Sequence, residues 1–406
     1  MMTREPISTI PEPMRGLEAD TWANSTIRIR FGNTVRRVLA ENDFPVGIIT
    51  RLKGLIADIP DALIRPLGDP NAPDLEDWNA YIEPYLGMNW LEPPWFFSEH
   101  YFYRRIIEAI GYFQEGWDPF AISKQRGLEH GPGSISGLAS RLEDWLNSNH
   151  PTQEILLSLL YLDLWGNQAD YSLWPADAEG ASKPDHADLS QANDYLLTDA
   201  APEIVEYLLA LNGKHARVDF MIDNAGLELV SDLVFADYLL SSGMVEEVRF
   251  HLKAHPTFVS DALPKDVIAT IAHLESTDEP FVRDLGKRLS THLQENRLTL
   301  RSDFFWNSPL DGWKMSEDLI EELSRSNLVI SKGDANYRRL LGDQHWPFTT
   351  PFADIVAYFP APLAALRTLK SELVCGLSPA QAETVAAKDP EWLVNGRWGL
   401  IQFLSP

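Results

Sequence analysis

A single cysteine, Cys375, in 406 residues leaves no partner for an internal disulfide and excludes a cysteine-rich metal site. That fits a reducing compartment, and the apolar flanks of Cys375 mark it as a core residue. Basic residues are scarce as well: 34 Lys and Arg stand against 59 Asp and Glu, a formal charge of -25. A polyanion would be repelled over most of such a surface and no Lys/Arg cluster offsets the balance, so nucleic acid is excluded as a partner. No apolar run reaches membrane-spanning length, and the opening Met-Met-Thr-Arg-Glu-Pro lacks the apolar core of a secretory signal. The expectation is a soluble, cytoplasmic protein with no membrane partner. Gly-x-Ser-x-Gly, His-Glu-x-x-His and a Walker loop are all missing, as is any repeat of solenoid length.

What is present suffices for burial: 45% of the residues are hydrophobic, in a chain long enough for two or three lobes. From Trp22 to Leu146 the pattern is helical, with proline-rich turns. Ile27, Phe31, Val35 and Val38 recur at helical spacing while Arg28, Arg30, Arg36 and Arg37 fall between them. The aromatic block Trp90 to Arg105 reads as a surface that buries one lobe against another, the alternative being a pocket wall with Glu99 or Arg105 reaching in. Gly131-Pro132-Gly133-Ser134 lacks a phosphate-binding lysine and reads as a connector before a helix at Ser140 to Leu146. Glu154 to Leu164 reads as a helix, and the Ala, Asp, Gly, Ser and Pro-rich stretch after it places a lobe boundary at 175/176.

Beyond that boundary strands alternate with helices. Candidate strands are Val218 to Ile222, Glu247 to Leu252, Arg297 to Arg301, Asn327 to Ser331, Glu372 to Leu377 and Gly399 to Leu404. Connections of this length suit right-handed crossovers. The expected architecture is α/β: an all-helical N-terminal lobe over 1–175, then a three-layer α/β/α body with a largely parallel sheet over 176–406.

The organising feature is the break after Val218 to Ile222, where Asp223-Asn224-Ala225-Gly226 interrupts an apolar strand and opens the helix from Leu227 to Leu240. Open α/β sheets bind ligands at the carboxyl ends of their strands. Polar residues gather at that predicted edge: Asp223 and Asn224, then Asp261, then Lys332-Gly333-Asp334-Ala335-Asn336-Tyr337-Arg338, with Arg367-Thr368-Leu369-Lys370 just before the fifth strand. Two carboxylates and an amide suit a hard ion such as Mg²⁺ or Mn²⁺, and Lys332, Arg338, Arg367 and Lys370 supply cations for a phosphate. Glu228 or Asp303 is placed to assist proton transfer. Each has a plainer explanation: Asp223 and Asn224 as a helix cap, Asp261 as a turn residue, Lys332 to Arg339 as a solvated helix start, Arg367 and Lys370 as a charged helix face. Their convergence at one predicted edge is what points to function. His251 and His255 are four apart but in or beside a strand, about 13 Å apart along the chain and too far to share an ion.

Asp223-Asn224-Ala225-Gly226-Leu227-Glu228, Ser302-Asp303-Phe304-Phe305-Trp306, Lys332-Gly333-Asp334-Ala335-Asn336-Tyr337-Arg338 and Arg367-Thr368-Leu369-Lys370 resemble, in order, the metal-dependent damage-control phosphatases once grouped only as a domain of unknown function. The Arg-Thr-x-Lys signature resembles that of the sugar-phosphate subfamily. The resemblance runs from about Trp90 to Leu377 and implies a metal (Mn²⁺, Co²⁺ or Ni²⁺) held by Asp223, Asn224 and Asp261. It also implies a small-molecule sugar phosphate, fructose 1-phosphate or fructose 6-phosphate, held by Asp334, Asn336, Tyr337, Arg338 and Lys370. The family has also been described as protein-carboxyl O-methyltransferases, in which Glu228 and Asp261 would contact S-adenosylmethionine. A non-catalytic sugar-phosphate sensor is the third reading.

Overall fold

In the computed structural model the described residues are 4–129, 132–148, 151–166 and 193–405. The 175/176 boundary and nearly all of the 176–193 stretch lie outside them, as does Gly131 of the presumed connector. The helix after that connector opens at Pro132 instead of Ser140, because proline is preorganised for a first helical turn.

Seven strands form one sheet: β1 (Leu196–Asp199), β2 (Arg217–Met221), β3 (Glu247–Lys253), β4 (Leu298–Asp303), β5 (Leu328–Lys332), β6 (Leu363–Thr368) and β7 (Gly399–Leu404). Their order is β1-β7-β6-β5-β2-β3-β4, parallel throughout except for the antiparallel β6/β7 pair. Helices cover both faces, so the central strands are apolar in successive residues, as buried parallel strands must be. Val218, Phe220, Val248, Phe250, Leu328 and Ile330 turn to one face, under the helices Gln153–Trp165, Leu227–Ser241 and Pro264–Ser276. Met221, Val329, Leu363 and Ala365 turn to the other and share a core with the N-terminal helices.

That second core depends on the aromatic block. Trp95–Ile110 is one helix whose sixteen residues are all buried but Glu108, ended by Gly111 in the left-handed conformation (φ 70°). A helix buried on every side must pair its own charges. Arg104 grips Asp74 through two hydrogen bonds of 2.8 and 3.0 Å, Glu99 accepts from Arg338 at 2.5 Å, and Arg105 lies 2.9 Å from Glu108. Glu99 and Arg105 are therefore occupied in packing and form no pocket wall.

One expected strand is wrong. Glu372 to Leu377 is irregular, and the strand there is β6, nine residues earlier. Leu363-Ala364-Ala365-Leu366 reads as helix by propensity, yet all six β6 residues are buried between β5 and β7, and tertiary burial overrides so weak a preference. The short edge strand β1 was not anticipated. The shift moves Arg367 and Thr368 into the end of β6 and Lys370 just past it. The carboxyl ends of β2, β3, β5 and β6 thus lie along one edge of the sheet.

Candidate active site

Past Met221 the chain leaves the sheet and runs antiparallel to the loop that follows β3. Asn224 and Asp261 form a backbone bridge, with Ala225 N donating to Ser260 O (2.7 Å) and Ala262 N to Asp223 O (2.8 Å). Asp223 and Asp261 are thereby drawn together although 38 residues separate them. The loop presenting Asp261 is strained: Phe258 (φ 46°) and Val259 (φ 70°) both occupy the left-handed region, which is unfavourable for a β-branched side chain. Phe258 is held there by ring contacts to His100 and Tyr103 of the aromatic helix, at 4.9 and 5.0 Å.

Both carboxylates are almost sealed from solvent. Burial first, then the neighbouring Asp261, push Asp223 above the ordinary carboxylate range, while Lys370 and Lys253 oppose the shift. Burial also raises Asp261, against the pull of Lys253. Asp223, Asp261, Lys253, Asp334 and Lys370 therefore share one electrostatic neighbourhood. Asn224 is pinned inside it: Nδ2 donates to Asp223 Oδ2 (2.9 Å) and Glu228 Oε2 (2.8 Å), and Oδ1 accepts from Ser260 Oγ at 2.6 Å. Gly333, at φ 82°, opens the next helix against Asp223. A Cβ there would lie 1.9 Å from Asp223 Oδ2, so only glycine leaves that oxygen its place.

The other expected residues divide by what their charges already do. Asp334 Oδ1 accepts from Arg367 Nε (2.8 Å), Lys370 N (3.2 Å) and Ser371 Oγ (3.1 Å). Burial would raise Asp334, but the Arg367 guanidinium outweighs it and holds the carboxyl below its ordinary range. Asn336 ties the Gly333 helix to β2 and β5, donating to Met221 O, Ile222 O and Lys332 O at 3.0 to 3.3 Å. Tyr337 donates to Gln402 Oε1 at 2.8 Å. Arg338 is fully engaged by Asp343 and Glu99 and stacks 3.8 Å from the Trp95 ring centre. These are packing roles, in place of the open phosphate-facing charge expected for Arg338 and Arg367. Asp303 caps a short helix by accepting from Phe305 N at 2.8 Å, and it stands opposite Lys253 in the β3/β4 pair.

Lys332 departs furthest from expectation. Alternation along β5 puts Leu328, Ile330 and Lys332 on one face, and its ammonium enters an acid cage with Asp232 at 2.6 Å, Asp163 at 3.0 Å and Glu228 at 4.0 Å. Burial opposes its charge, but the three carboxylates outweigh that and hold Lys332 well above the ordinary lysine range. Its charge is balanced before any phosphate arrives. The cage reaches the site through Glu228, which burial and then Asp223 keep well above the usual range and which fixes Asn224.

Among the described residues no three His, Cys, Asp or Glu side chains converge in a spacing that holds an ion. The histidines confirm their separation: His251 bonds Asp219 (2.8 Å), and His255 lies 3.6 Å from Asp74. Burial, aided by Arg104 and opposed by Asp74, pulls His255 from 6.5 down to about 4. The unfolded chain therefore binds this proton more readily, and stability falls as pH drops from about 6.5 to about 4, by about 3 kcal/mol. Urea unfolding of the wild type and His255→Gln between pH 7 and pH 4.5 measures this; an equal loss in both proteins would refute it.

Donors here are all oxygen, from Asp223, Asn224 and Asp261, and Asp261 Oδ2 accepts no hydrogen bond from any described residue. That carboxylate oxygen, approached by the Lys253 ammonium at 3.4 Å, and the bare Gly333 beside Asp223 fit a hard divalent ion whose remaining positions are filled by water and substrate.

The damage-control phosphatase ARMT1-like domain matches residues 26–385, a span that takes in the N-terminal helices and every residue of this edge. Damage-control phosphatase ARMT1 of Mus musculus is 36% identical over 376 residues, covering 85% of this chain and 84% of the mouse protein. Its Danio rerio counterpart is 34% identical over 362 residues, covering 83% and 80%. The chain belongs to the ARMT1-like damage-control phosphatase family. The crystal structure of a DUF89 family protein from Pyrococcus horikoshii aligns at a TM-score of 0.48 with 14% identity, covering 92% of this chain and 96% of that one.

One residue of this family member's site escaped the sequence reading. Lys253, buried at the carboxyl end of β3, lies 3.4 Å from Asp261 Oδ2 and 3.4 Å from Asn336 Oδ1. Its signal was the alternation Glu247, Arg249, His251, Lys253 along one face of an otherwise apolar strand. No helix among the described residues is long and apolar enough to cross a membrane.

Proposed function

We propose that this protein is a metal-dependent phosphoric monoester hydrolase acting on small sugar phosphates, with fructose 1-phosphate and fructose 6-phosphate as the first substrates to test. The observation that carries the reading is the pairing of Asp223 with Asp261 across the Asn224 bridge, one carboxylate oxygen left without a hydrogen bond. Asp223, Asn224 and Asp261 would hold a divalent ion, Mn²⁺, Co²⁺ or Ni²⁺ by family resemblance, with Mg²⁺ also compatible with the oxygen donors. Such an ion supplies charge neutralisation at the phosphoryl oxygens.

The protein's own residues do the rest. Asp334 and Lys370, half-buried where the edge meets solvent, orient the sugar phosphate. Arg367, Tyr337, Arg338 and Asn336 keep the Gly333 helix at the correct height. Glu228, held above its ordinary range by burial and by Asp223, accepts from the Asn224 amide and fixes it, so it acts through Asn224 and not on the substrate. The sealed walls exclude bulk water, which strengthens each of these interactions.

The test offers metal-stripped protein both fructose phosphates, with and without Mn²⁺, and measures free phosphate. Metal-dependent release is expected. Methyl transfer from S-adenosylmethionine without phosphate release would replace this reading by the methyltransferase one, and tight binding with neither product by a sensor.

A further inference from the structure

One face of β3 carries Glu247, Arg249, His251 and Lys253 in alternation. Two of its side chains are tightly held: Arg249 reaches Glu247 at 2.6 Å and His251 reaches Asp219 at 2.8 Å. Lys253 differs. It is 2% exposed, yet its shortest contacts among the described residues are both 3.4 Å, to Asp261 Oδ2 and Asn336 Oδ1. An ammonium has three N–H donors, and buried donors are normally satisfied. The neighbouring cations are: Lys332 at 2.6 Å from Asp232, Arg338 at 2.8 Å from Asp343, Arg367 at 2.7 Å from Asp334.

We propose that Lys253 is a catalytic residue of this site, its ammonium donating to a phosphoryl oxygen of a substrate held beside Asp223 and Asp261. The inference rests on the phosphatase reading above and reassigns to Lys253 the phosphate contact that Lys332, turned to the opposite face, cannot make. Phosphoryl transfer spreads negative charge over three oxygens with little covalent work for the protein, so a fixed cation in a dry pocket stabilises the transition state directly. Lysine binds phosphate as a point charge and needs no planar partner, which suits an ammonium carried on the end of a strand. No proton need leave Lys253.

Wild type, Lys253→Met and Lys253→Gln are compared for phosphate release from fructose 1-phosphate at saturating Mn²⁺, for Mn²⁺ affinity by calorimetry, and for binding of inorganic phosphate to the Mn²⁺-loaded protein. In the variants kcat is expected to fall about 100-fold and phosphate binding about 10-fold, with Mn²⁺ affinity within about threefold of wild type. The glutamine variant serves if the methionine variant does not fold. A folded variant with kcat and phosphate binding within about threefold of wild type overturns the proposal, and so does a fall in Mn²⁺ affinity that matches the fall in kcat, which would make Lys253 a support for Asp261 alone. Should wild type release no phosphate at all, the phosphatase reading fails on its own, and the inorganic-phosphate measurement still decides whether Lys253 faces an anion.

Discussion

Asp223→Ala is expected to lower Mn²⁺-dependent phosphate release by about a thousandfold or more while leaving the protein folded. The carboxylate joins the parts of the edge: it accepts from Asn224, lies against Gly333, and shares its field with Asp261, Lys253 and Lys370. Its removal takes one of two acidic donors from a site where, among the described residues, no group of three His, Cys, Asp or Glu side chains converges to hold an ion. Stability should move the other way in metal-free protein. Burial and Asp261 make the ionised form unfavourable there, so an alanine relieves repulsion between two buried carboxylates. The paired readout is therefore activity lost with thermal stability unchanged or raised. An alanine variant that keeps about a tenth of wild-type activity would sink the assignment of Asp223 as a metal-holding residue.

Gly333→Ala is the second large effect, and it adds or removes no charge. At φ 82° any L side chain is strained by about 1–2 kcal/mol, and the new methyl would lie 1.9 Å from Asp223 Oδ2 and 2.3 Å from its Cγ. Either the Asp223 side chain swings away or the Gly333–Leu341 helix shifts, and a displacement of about 1 Å in a catalytic group commonly costs about 100-fold in rate. Destabilisation of about 2–4 kcal/mol is expected together with that loss. Gly54→Ala is the control: it lies within the Val46–Asp58 helix, with no heavy atom within 4 Å of the added Cβ, so activity should be untouched. Equal, small effects in both variants would show that Asp223 has room to spare.

Much of this edge could be read from the chain because its signals are local. The run Val218 to Ile222 ending in Asp223-Asn224 and Gly226 announces strand, turn and helix in nine residues, and the structure gives β2, the bridge and the Leu227–Ser241 helix in that order. Asp261 was reached the same way, as the acid after the next strand. β6 was misplaced because Leu363-Ala364-Ala365-Leu366 is compatible with either period, and only burial between β5 and β7 selects the strand.

By itself the sequence determined the layered α/β plan, the order of the motifs and the gathering of acids and amide at one strand edge, since hydrophobic period, turn residues and strand direction are local properties. Tertiary structure alone decided which cations remain open at that edge. Strand alternation sends Lys332 into Asp163 and Asp232, brought from two other helices, and leaves Lys253 beside Asp261. A charge is available or spent according to its neighbours in space, and those neighbours lie up to 239 residues away, as Arg338 and Glu99 do.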